Sequence, residues 1–111
     1  MSLPAAEALQ LDSLITPTAH GIASRVLAKT DGGNVTLFAF AEGQGLTEHT
    51  SPFDALVIVL EGVFALTIGG THIEARAGQI VRLPASVPHA VDARAPSRML
   101  LVMLRDATAT A

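Results

Sequence analysis

The sequence predicts an all-β domain: a sandwich or barrel of about eight short strands with jelly-roll wiring. Three observations point there. Apolar and polar residues alternate with period two over most of the chain, Gly- and Pro-containing turn signals recur at short intervals, and ALVIVL at 55–60 is apolar on both faces. A strand of that last kind must be covered on both sides.

Taken in order, the N-terminal PAAEALQLDSLI is the one helical candidate, with Leu11, Leu14 and Ile15 at usable spacing. Strands are expected at Ile22–Lys29 and Asn34–Phe40, the second carrying alternating Phe38 and Phe40. Ala55–Leu60 follows, with Val57 and Val59 pointing one way and Leu56, Ile58 and Leu60 the other. Val63–Ile68, Gly69-Gly70 and Thr71–Arg76 read as a hairpin, because two adjacent glycines supply the positive φ angles of a two-residue turn. Pairing across it places Phe64, Leu66 and Ile68 on one face with Ala75, Ile73 and Thr71. The other face takes Val63, Ala65 and Thr67 with Arg76, Glu74 and His72. Gln79–Leu83, His89–Ala93 and Arg98–Leu104 complete the set, the last alternating Met99, Leu101 and Met103. The terminal DATATA is expected to fray. The organisation is a single domain: a flank over 1–33 with the helix and first strand, a barrel over 34–105 and a tail over 106–111.

Half of the 111 residues are apolar and only 15% are charged, a low share for a small monomer. Apolar surface beyond what one barrel covers predicts a homodimer. No run of about 20 apolar residues is present, so no membrane span is expected, and the N-terminus lacks the basic start and apolar stretch of a signal peptide. A cytoplasmic location is the default. A net charge of −3 with seven scattered basic residues offers no footprint for nucleic acid. With no Cys there is no disulfide, thiolate ligand or Cys nucleophile.

Two segments tie a histidine to Gly and Pro punctuation: GQGLTEHTSPFDALVIVLEG at Gly43–Gly62 and GQIVRLPASVPHA at Gly78–Ala90. Together they resemble the two signature motifs of the cupins, small β-barrels whose pocket usually holds a metal ion. The resemblance spans roughly Val35–Leu104 and is closest to short stand-alone cupins with an EHTSPFDAL-type first motif. It implies a jelly-roll of two antiparallel sheets. In the first motif His49 takes the first His position, Ser51 the second, Ala55 the Glu and Gly62 the closing Gly; in the second, Gly78, Pro84 and His89 match, Ser86 stands for a Gly and Ala93 for an Asn. Of the four positions that the resemblance assigns to metal ligands, only His49 and His89 carry one. The implied cofactor is a divalent metal such as zinc, iron, manganese or nickel, held by those two residues. The alternative is a metal-free pocket for a small organic ligand.

Parity supports this alignment. His49, Ser51 and Ala55 share a face with Val57 and Val59 if the Pro-Phe turn keeps register, and His89 opens a strand with Val91 and Ala93 on its side. Two imidazoles would then meet in a largely apolar cavity. Two histidines and one carboxylate are the minimum for non-haem iron, and the carboxylate is missing where it is expected. Asp54 is one residue off and Glu48 points to the opposite face; Gln44 and Gln79 are weaker candidates. His72 belongs to the polar hairpin face and His20 to a turn, Arg82 should face outward, and no serine lies in a Gly-x-Ser-x-Gly context. Two functions of different class follow. One is a small metal-dependent enzyme acting on a carbonyl, enol or aromatic compound, with catalytic residues unassigned because no general base can be named. The other is a binding or sensing module without turnover, resembling the sensor barrels of bacterial regulators but with no helix-turn-helix in the chain.

Overall fold

The computed structural model describes residues 3–105. Nine strands form two antiparallel sheets: β1 (Ile22–Thr30), β2 (Gly33–Phe40), β3 (Gly45–His49), β4 (Asp54–Glu61), β5 (Val63–Ile68), β6 (Thr71–Arg76), β7 (Ile80–Leu83), β8 (His89–Ala93) and β9 (Ser97–Leu104). One sheet has the order β1-β2-β9-β4-β7 and the other β3-β8-β5-β6. This is the expected jelly-roll. The tail over 106–111 lies outside the described residues.

The inner faces close on one core. Val57, Val59 and Met99 from the first sheet and Phe64, Leu66 and Val91 from the second are all buried, each side chain contributing about 1.5–3 kcal/mol. Phe40 and Phe64 bridge the sheets edge to face at 5.2 Å. β4 is covered on its inner face by this core. Its outer face is covered only in part, where Leu60 joins a second cluster with Ile15, Leu27 and Leu37. The predicted hairpin has the register read from the sequence, from Val63↔Arg76 to Ile68↔Thr71. Its glycines take φ 56° and 84°.

One expectation is corrected. The N-terminal helix is reduced to a 3-10 turn at Leu11–Ser13. Ala6 sits at φ 61°, which interrupts any helix, and the Leu3 N–H donates to the Leu27 carbonyl at 3.2 Å. The segment is therefore drawn along β1, and Leu14 and Ile15 bury themselves against the outer sheet face instead of forming a helical stripe. β3 is a strand that the sequence does not announce, because GLTEH between Gly43 and Thr50 shows no alternation and stays largely exposed. Among the described residues no helix is long and apolar enough to cross a membrane.

Candidate functional site

β3 matters because it carries His49. It pairs with β8 through Leu46↔Val91 and His49↔His89, so three steps on β3 match two on β8. Thr47 and Glu48 together oppose Ala90, which is a β-bulge. An unbroken ladder would have set Glu48 opposite His89. The bulge turns His49 inward and leaves Glu48 exposed on the outside. Period-two reading places His49 on the face of Ser51, Ala55 and Val57, as the structure has it, but could not find that even-numbered Leu46 shares that face. An extra residue in a ladder leaves no mark in an apolar pattern.

The two imidazoles stand edge to face with centroids 4.4 Å apart. Each is oriented by its own backbone two residues earlier: His49 Nδ1 lies 2.8 Å from the Thr47 carbonyl and His89 Nδ1 3.2 Å from the Val87 carbonyl. A carbonyl oxygen can only accept, so Nδ1 is the donor on both rings, and a neutral imidazole so held keeps its lone pair on Nε2. His89 is buried, and His49 lies at the rim and is exposed. Both line a cavity of about 30 Å³, with Ser51, Met99 and Met103 beside them and aliphatic side chains over the remaining wall.

Ser51 sits where the resemblance places a second histidine. Its Oγ accepts from the Phe53 N–H at 3.2 Å and contacts Met103 Sδ at 3.8 Å, and its carbonyl accepts from the Ser86 N–H at 2.7 Å. The hydroxyl is thus engaged locally and lacks a base to activate it. Ser86, aligned with a family glycine, has a left-handed φ of 63°. The backbone geometry of the glycine position survives without the glycine.

Asp54 is not a ligand. Its Oδ1 accepts from the Ala85 N–H at 2.8 Å and its Oδ2 from Arg82 Nε at 3.1 Å, on the outer face. The Ala85 hydrogen bond first, and then Arg82, hold the carboxyl below its ordinary value. Arg82 faces outward as expected. Gln79 Oε1 is taken by the Arg76 N–H at 2.8 Å. His72 pairs with Thr67 on the hairpin's exposed face, and His20 is held in a turn by Thr18. Among the described residues no group of three His, Cys, Asp or Glu side chains could hold a metal ion. The ligand set that the cupin resemblance implies is therefore not met in full. The pair His49–His89 is brought together, but no carboxylate joins it.

The cupin domain family model matches residues 36–104. A conserved protein of unknown function from Streptococcus pyogenes is 31% identical, with a TM-score of 0.88 over 94% of this chain and 91% of that one. A cupin superfamily protein from Desulfitobacterium hafniense is 30% identical, with a TM-score of 0.86 over 94% and 95%. KdgF from Halomonas, at 23% identity and TM-score 0.72 over 78% and 82%, shares the fold. No curated protein sequence matches. With the family model covering most of the barrel, and the two histidines of its motifs facing each other inside it, the chain belongs to the cupin family.

Proposed function

We propose that this cupin is a metal-binding module in which His49 and His89 hold a single transition-metal ion through Nε2. The observation that carries this reading is the pair of Nδ1-to-carbonyl contacts, which fixes both tautomers and leaves two lone pairs on rings that line one cavity. Size supports an ion over an organic occupant. A cavity of about 30 Å³ has room for one water or ion, whereas ligand pockets run to roughly 300 Å³ or more. Zinc and nickel suit imidazole donors; manganese prefers oxygen ligands, and a two-histidine iron site needs a carboxylate, which this wall does not supply. Bound there, the ion would polarise the oxygen of a small exogenous ligand. The chain's own contribution is orientation of the two rings, since the hydroxyl of Ser51 is engaged and Asp54 lies outside. We therefore favour binding over turnover of a carbonyl, enol or aromatic substrate.

The experiment is metal analysis of untagged protein, followed by calorimetric titration of zinc and nickel into wild type, His49→Ala and His89→Ala. Stoichiometric binding by the wild type that both variants lose is the expected result. Equal binding by all three would overturn the assignment.

A further inference from the structure

The cavity wall holds a donor that neither motif predicts. Met103 is the partner of Ala55 across β9 and β4, and its sulfur lies 3.8 Å from Ser51 Oγ. Ser51 is in turn hydrogen-bonded by the Ser86 N–H, and Val87, the next residue, supplies the carbonyl that orients His89. Met103 and both histidines line the same cavity of about 30 Å³, which has room for little more than one ion. Met99, on the same face of β9, starts about 13 Å of strand away. Serine and alanine are short, and the flexible thioether fills the space their side chains leave.

These neutral donors decide what kind of ion the site favours. Imidazole and thioether ligands bring no negative charge, and no carboxylate lines the cavity. The cost of burying an ion without a counter-charge rises with the square of its charge, so a dication is penalised far more than a monocation. Thioether sulfur is soft and selects copper(I), which accepts two or three ligands and carries a single charge. Zinc and nickel gain little from a thioether.

Building on the two-histidine reading, we propose that Met103 completes a site of two nitrogens and one sulfur that prefers copper(I) to divalent ions.

The test is an anaerobic titration of copper(I) against a chromogenic chelator, with parallel zinc titrations, for wild type and Met103→Leu. Leucine keeps the volume and removes the sulfur, and thermal melting of the metal-free variant verifies that it folds. Copper(I) affinity should fall about tenfold or more in Met103→Leu while zinc affinity stays within about twofold. X-ray absorption at the copper edge should show one sulfur neighbour in the wild type and none in the variant. Equal copper(I) affinities, or a copper edge without sulfur, overturn the thioether ligand. Zinc binding that depends on His49 and His89 would still stand in that case. Failure of the wild type to bind either ion overturns both the thioether ligand and the metal reading beneath it.

Discussion

Asp54 shows how a carboxylate beside a metal motif can be wholly structural. Its oxygens tie the start of β4 to the β7–β8 loop and to Arg82. The carboxyl's folded value is depressed, so its stabilisation is present above the unfolded value and lost as pH falls through the folded one. Wild type should therefore be more stable than Asp54→Asn at pH 6, and the gap should narrow progressively as pH falls below about 4. Chemical denaturation of both proteins across that range checks it; a constant gap would exclude the ionised form as the cause. Ser86 offers a second residue-scale prediction. A left-handed φ strains any side chain-bearing residue, and glycine removes the strain at some cost in unfolded-state entropy. Ser86→Gly should raise stability by up to about 1 kcal/mol, read from the denaturant midpoint at unchanged slope.

Among the elements, the β5–β6 hairpin was the most legible, because its alternation and its paired glycines agree. Gly70 has φ 84°, and a Cβ there would meet nothing within 4 Å. Any cost of Gly70→Val is thus conformational, and we expect about 1–2 kcal/mol of destabilisation by urea unfolding. Gly62 differs. Its φ is 82° and a Cβ would run into Ser97 Oγ, whose contacts with the Val63 N–H and the Ala95 carbonyl it would disturb. Gly62→Ala should cost more than Gly70→Val, and the same measurement ranks them. Eight of the strands were readable from apolar periodicity or turn chemistry. β3 was not, since an exposed edge strand with a bulge presents neither signal. The meeting of His49 and His89 in one cavity was legible from motif spacing. Their orientation and the approach of Met103 depend on backbone carbonyls and on pairing across the sheet, neither of which a linear pattern records.

At the scale of the molecule, the outer face of the five-stranded sheet is half covered. The N-terminal segment packs over Leu27, Leu37 and Ala39, while Ile80 is 60% and Leu104 46% exposed beside partly buried Leu56, Ile58 and Val102. We propose that a second copy of the chain covers this remainder, as the composition suggested. Light scattering at micromolar concentration should give twice the 11.5 kDa chain mass, and Ile80→Asp should give a monomer. A wild-type monomer would refute it. The sheet order has a further consequence, for synthesis. β9, last of the nine strands, lies at the centre of its sheet, with β1 and β2 on one side and β4 and β7 on the other. Its partners Gly33 and Asp54 both meet Leu104 and must wait for it. Until β9 leaves the ribosome the two halves of the sheet have nothing to join them, and the apolar Ala55–Leu60 stretch stays open to aggregation. A growing chain of this cupin therefore carries the unpaired edges of β2 and β4 until β9 is made.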